Sequence, residues 1–188
     1  KKRPYSPHIK KPVNLHPELL KANYNILMTT QAGTVDINTL LQDTSLSLFQ
    51  KVLLTTDGTV TQLLEIYSGS PIKVKKISQT IVNDIENTWL QLKDTDRLLK
   101  RSILLCSRDS NLLYAESYFV IDRLPKSMHQ QLLETDQPIG LLWRAERMET
   151  YREISGYTRR REPDLSPHFN VGNDVEFLGR TYHIYYQH

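Results

Sequence analysis

The chain carries one cysteine, Cys106, which excludes an intrachain disulfide and any cysteine-rich metal site. Cys106 ends the apolar run Ile103-Leu104-Leu105 and reads as a small buried hydrophobe, with no histidine in a motif that would make it a nucleophile. Histidine offers no metal site either: His168 and His183 are isolated, and no His or carboxylate pair has ligand spacing. No apolar run approaches the length that spans a bilayer, and the given residues contain no secretory signal. Repeats are absent too, which excludes solenoid and propeller architectures. The net charge is only +3, and much of it sits in Lys1, Lys2, Arg3, Lys10 and Lys11. Without them the basic residues, 24 in the whole chain, fall just below the 21 acidic ones. A body so close to neutral lacks the clustered basic face of a nucleic-acid binder.

What is present suits one domain with a real hydrophobic core: 188 residues, 39% hydrophobic and 24% charged. Residues 1–15 hold the basic cluster together with Pro4, Pro7 and Pro12, and form an arm expected to be extended unless a partner orders it. Residues 16–188 are expected to form the single domain. Pro17-Glu18-Leu19-Leu20 starts a short helix, and Thr44–Leu54 has a helical stripe of Leu46, Leu48, Phe49, Val52 and Leu53. Thr55-Thr56-Asp57-Gly58 breaks it with turn chemistry. A second helix follows, with Thr59 and Gln62 at capping-box spacing and Gly69 as its stop.

Beyond Gly69 the pattern changes to period two. Ile72–Ile77, Leu99–Cys106, Leu113–Ile121, Thr150–Ser155 and Leu178–Tyr186 read as strands, the second and third joined through the turn formers Ser107–Asn111. Pro125–Glu134 and Ile139–Arg147 read as inserted helices. Tyr157-Thr158-Arg159-Arg160-Arg161-Glu162 reads as a solvated loop. Helices first, then hairpin-connected strands, make an α+β fold on a single antiparallel β-sheet flanked by helices. The ends suggest a longer protein: the chain opens without methionine, and its last strand closes on Gln187-His188 with no return strand.

Three places could carry chemistry. Asp57-Gly58-Thr59 stands at a helix N-terminus, where free N–H groups and the dipole can hold a carboxylate or phosphate; the alternative is a turn whose cap is satisfied internally. Arg101 shares strand phase with Ile103 and Leu105. It either faces the core, a costly position unless an anion pairs with it, or sits at the strand's start and reaches solvent. Pro138-Ile139-Gly140 precedes Leu141-Leu142-Trp143, where glycine allows close backbone approach to a ligand or marks a loop-to-helix junction.

The segments Val52–Thr61, Lys100–Leu105, Tyr114–Ser117, Pro138–Gly140 and Glu149–Ile154, taken in order, resemble the chorismate lyase (chorismate–pyruvate lyase) family, most closely its cyanobacterial and plastid-encoded branch. The likeness covers roughly residues 45–188. It implies a protein of the cytoplasm or plastid stroma that removes pyruvate from chorismate to give 4-hydroxybenzoate, in an enclosed pocket and without metal or organic cofactor. It also implies that Arg101 grips the ligand carboxylate, with backbone N–H groups at Thr59 and Ile139 on the same group. The family's glutamate, suited to acid/base help, would fall on a strand beyond His188. Glu116 stands where better-known bacterial members have a basic residue. The alternative expectation is a non-catalytic assembly protein on the same fold, docking a partner through residues 1–15 or through an open sheet edge.

Overall fold

The computed structural model describes residues 26–28, 35–82, 96–135, 139–147 and 150–186. The arm at 1–15, the helix expected at Pro17, Pro138 and the terminal Gln187-His188 lie outside the described residues. In chain order the elements are β1 (Ile26–Met28), α1 (Ile37–Gln42), α2 (Leu48–Thr55), α3 (Val60–Ser68), β2 (Lys73–Val82), β3 (Leu98–Cys106) and β4 (Asn111–Val120). A short 3-10 turn at Ile121–Arg123 leads into α4 (Lys126–Glu134), α5 (Ile139–Ala145), β5 (Thr150–Arg161), α6 (Ser166–Phe169) and β6 (Glu176–Tyr186).

All six strands form one sheet in the order β2-β3-β4-β1-β6-β5. The β2–β3, β3–β4 and β5–β6 pairs are antiparallel, as hairpin-connected strands must be. The short β1 joins the two hairpin groups by running parallel to both neighbours, with Met28 beside Ala115 and Leu27 beside Gly179. The fold is α+β, as expected, with β1 as the parallel exception. Strand β6, expected at an open edge, instead lies inside the sheet: β5 flanks its whole length and β1 meets it at Leu178 and Gly179. Among the described residues the edges are β2 and β5.

Helix α2 starts at a reciprocal cap, in which Gln50 N donates to Ser47 Oγ (3.2 Å) and Ser47 N donates to Gln50 Oε1 (2.8 Å). The box expected at Thr59 and Gln62 does not form: Thr59 is the N-cap of α3 but makes no side-chain cap bond. Gln62 is engaged elsewhere, accepting from Arg144 of α5 at 3.1 Å. Gly69 ends α3 at φ 62°, the left-handed conformation that glycine adopts without strain.

The second departure from expectation is β5, which runs to Arg161 and absorbs the supposed loop at 157–161. It pairs with β6 as far as Arg161 opposite Glu176. The charges fit a strand because they find partners: Arg159 reaches Asp43 at 2.6 Å and Glu176 at 3.9 Å, and Arg160 pairs with Glu162.

Helices cover one face of the sheet through three apolar clusters. Leu53 and Leu64, from α2 and α3, pack on Ile103, Leu105, Leu113 and Ala115. Met128 and Leu132 of α4, with Leu142 and Trp143 of α5, pack on Leu99 and Ile121. Leu40, Leu46 and Leu54 pack on Leu178 of β6. The other face holds α6, where Phe169 meets Phe177 edge-on at 5.5 Å.

Candidate functional site

Strand alternation puts Leu99, Arg101, Ile103 and Leu105 on the helix-covered face. Leu99 belongs to the cluster under α4 and α5, and Ile103 to the one under α2 and α3. Arg101 therefore stands where the two clusters divide, with Gln79 and Ser117 as its cross-strand neighbours. It is 2% exposed. The solvent-reaching alternative for Arg101 is thereby removed.

Thr59 and Gly140 are brought together above this face. A Cβ built on Gly140 would lie 3.8 Å from Thr59 Cγ2, so the first turn of α5, starting at Ile139, rests against the N-cap of α3. The bond from Arg144 to Gln62 clamps the two helices one turn further on. The first N–H groups of α3 have no intrahelical acceptor, as at any helix start. The N-termini of α3 and α5 thus meet, with α3 packed on the cluster beside Ile103 and α5 on the cluster beside Leu99.

Two more arginines, both overlooked in the sequence, hold the turn that leads to Thr59. Arg180 of β6 donates from Nη1 to the carbonyls of Leu54 (3.3 Å) and Thr56, and Arg152 of β5 donates to the carbonyl of Asp57 at 2.5 Å. Arg180 is as buried as Arg101, at 2% exposure. Burial pushes its guanidinium pKa below the ordinary value, with Arg152 acting in the same direction. Tyr182, two residues on, has its ring 5.3 Å from the Arg180 guanidinium carbon, and burial raises its phenol. The signal for Arg180 was legible: it stands in strand phase with Leu178 and Tyr182, as Arg101 does with Ile103.

Glu116 lies elsewhere. It pairs with Ser102 in the β3–β4 register while Arg101 pairs with Ser117, so it occupies the opposite face. There it accepts from Tyr118 Oη at 2.9 Å and forms an ion pair with Lys100 at 3.0 Å. Its partners neutralise it, and the thickness of the sheet separates it from Arg101. Lys100, adjacent to Arg101 in β3, lies on that opposite face with Glu116. Cys106 is half-buried, with Sγ 2.9 Å from Asn111 Oδ1, and burial raises its thiol pKa, which disfavours a nucleophilic role. Among the described residues no three His, Cys, Asp or Glu side chains gather into a metal site, and no helix is long and apolar enough to cross a membrane.

A family model described as chorismate pyruvate-lyase, Rv2949c-like, matches residues 54–188. The chain belongs to that family. Its relatives include the chorismate pyruvate-lyase of Mycobacterium leprae, 36% identical over 55% of this chain and 50% of that protein. The Mycobacterium tuberculosis protein of the same name is 31% identical over 55% of each chain. A Methanocaldococcus jannaschii protein, named provisionally as a lyase, is 29% identical over 73% of this chain and 71% of its own length. The chain spans about half the length of the mycobacterial relatives it matches. The match of this Rv2949c-like family member to its model includes Thr59, Arg101, Ile139 and the newly found Arg180.

Proposed function

We propose that this protein eliminates pyruvate from chorismate and leaves 4-hydroxybenzoate. The observation that carries the reading is Arg101, a buried cation set between two apolar clusters whose covering helices, α3 and α5, meet at their N-termini. A planar ring bearing one carboxylate matches that combination: the guanidinium fork grips the carboxylate, N–H groups at Thr59 and Ile139 add to the grip, and apolar side chains flank the ring.

The chemistry asks little more of the protein. The ring carbon bearing the hydroxyl loses its hydrogen as a proton, and the adjacent carbon's bond to the ether oxygen breaks. The electron pair leaves with that oxygen, which is protonated, and the enol becomes pyruvate as the ring becomes aromatic. The residues fix the carboxylate, exclude water and assist the departing oxygen. Glu116 lies on the other face of the sheet and does not supply that assistance. The order of the resembling segments supports a place in the cyanobacterial and plastid branch, in cytoplasm or stroma.

A non-catalytic reading draws on one observation, the open edge of β2 with Ile77 and Ile81 exposed. Lys73, Lys75 and Lys76 interrupt that edge in the way that guards strands against pairing, so this reading ranks second. Calorimetric titration with 4-hydroxybenzoate and chorismate, followed by chromatography for product, separates the two readings. Folded protein that binds neither ligand would overturn the lyase assignment.

A further inference from the structure

Arg180 is more than a clamp for the turn before Thr59. Its bonds go to the carbonyls of Leu54 and Thr56, and among the described residues no Asp or Glu side chain pairs with it. Its Nε is buried with no acceptor among them. Compare Lys100 on the other face, whose charge Glu116 meets directly at 3.0 Å. Asp57 acts on it only at a distance, without a direct ion pair, and a cation at 2% exposure so weakly compensated is costly; an anionic ligand is the ordinary means of relieving that cost.

The sheet register places Arg180 relative to Arg101. Leu27 aligns with Gly179 and Met28 with Ala115, so Arg180 and Ala115 fall on the same row and the same face. Ser117, the partner of Arg101, stands two residues along β4 on that face. From β3 through β4 and β1 to β6 is three strand spacings, roughly 14 Å at about 4.8 Å each, and with the two-residue offset along the strands the backbone separation is roughly 16 Å. Two long arginine side chains reaching from either side of that span bracket a small dianion. The Thr56–Thr59 turn links them, since Arg180 holds its start and Thr59 stands at its end.

Resting on the lyase reading above, we propose that Arg180 binds the substrate's second carboxylate, the one carried by the enolpyruvyl group and lost with it. Arg101 and Arg180 then divide the labour. Arg101 meets the carboxylate common to substrate and product, and Arg180 meets the one that leaves. The site would hold chorismate at both ends and release pyruvate and 4-hydroxybenzoate from separate grips.

The test compares three ligands, chorismate, 4-hydroxybenzoate and pyruvate, by calorimetry on wild-type protein and on Arg180→Met and Arg180→Lys. Loss of a charge-assisted contact should weaken chorismate about ten- to a hundredfold in Arg180→Met and less in Arg180→Lys. Affinity for 4-hydroxybenzoate should hardly change in either. Equal weakening of both ligands, or of neither, would overturn the proposal and leave Arg180 as a holder of the turn, with the lyase reading intact. Wild-type protein binding neither chorismate nor 4-hydroxybenzoate would overturn both. A measurement on wild-type protein alone covers a variant that does not fold. Pyruvate should compete with chorismate yet bind equally well when 4-hydroxybenzoate saturates the site. Pyruvate that is displaced by 4-hydroxybenzoate, or that fails to compete with chorismate, would sink the assignment.

Discussion

Replacing Arg101 by methionine tests the site where its geometry is most constrained. Methionine keeps a long unbranched side chain between Leu99 and Ile103, so the two apolar clusters keep a filled boundary. What goes is the fork. Each hydrogen bond to a charged partner is worth about 1.5–3 kcal/mol, so a bidentate grip on a carboxylate contributes about 3–6 kcal/mol. At about 1.4 kcal/mol per tenfold, the affinity for 4-hydroxybenzoate should fall by about a hundredfold to ten-thousandfold. Arg101→Lys keeps the charge but not the planar fork, and should fall between the two. The folded state meanwhile sheds a buried cation, whose desolvation costs several kcal/mol per ion, so cooperative unfolding should survive. Isothermal titration with 4-hydroxybenzoate reads the affinity, and circular dichroism with thermal melting confirms the fold. A folded Arg101→Met protein that binds 4-hydroxybenzoate like wild type would refute the pocket assignment outright.

Other changes probe what holds the site in place. Leu142, fully buried under α5 against Leu99 and Met128, should cost about 2–5 kcal/mol on Leu142→Ala in urea unfolding; a loss well under 1 kcal/mol would mean α5 is not anchored there. Ser47→Ala removes one arm of the α2 capping box and should cost about 1 kcal/mol by the same measurement. The pair formed by Arg97 and Asp122, at 2.6 Å, predicts a pH dependence. The side-chain bond from Arg97, then its backbone N–H, hold the Asp122 carboxyl down from 3.8 to about 2. A depressed carboxyl stabilises the fold above its unfolded pKa and loses that contribution as pH falls through the folded one. The melting-temperature gap between wild type and Asp122→Asn should therefore be full at neutral pH and close between pH 3.8 and about 2. A gap that stays open at the acid end would count against it.

How much of this could be read beforehand depended on whether a residue's partner lay nearby in sequence. The β3–β4 hairpin was legible because apolar alternation on both sides of Ser107–Asn111 is a local signal. Arg101 was legible for the same reason, although its burial was not, since burial depends on helices that arrive from elsewhere in the chain. Strand β5 was hidden by its run of arginines, because the partners of Arg159, Asp43 and Glu176, are far away in sequence. The cap at Thr59 followed a sound local rule and lost to a tertiary contact, as Arg144 takes Gln62. β1 is only three residues long, too short for any periodicity to show.

The chemistry of the sheet rests on parity as much as on residue type. Arg101 and Lys100 are adjacent cations, yet one is buried among helices and the other is paired with Glu116 on the opposite face. A slip of one residue in β3 would exchange them, carrying Lys100 into the apolar division and Arg101 out to meet Glu116's face. Apolar packing resists that slip. Leu99, Ile103 and Leu105 would leave their helical clusters together with Arg101, and Leu98 and Leu104, themselves fully buried on the reverse face, would have to leave their own packing to replace them. Irregularities at Lys76/Ser78 in β2 and beside Cys106 at the β3–β4 turn fix the register from both sides of the strand. The same leucines that build the core thus decide which cation faces the helices, and so the proposed ligand-binding position is specified by residues that need never touch a ligand.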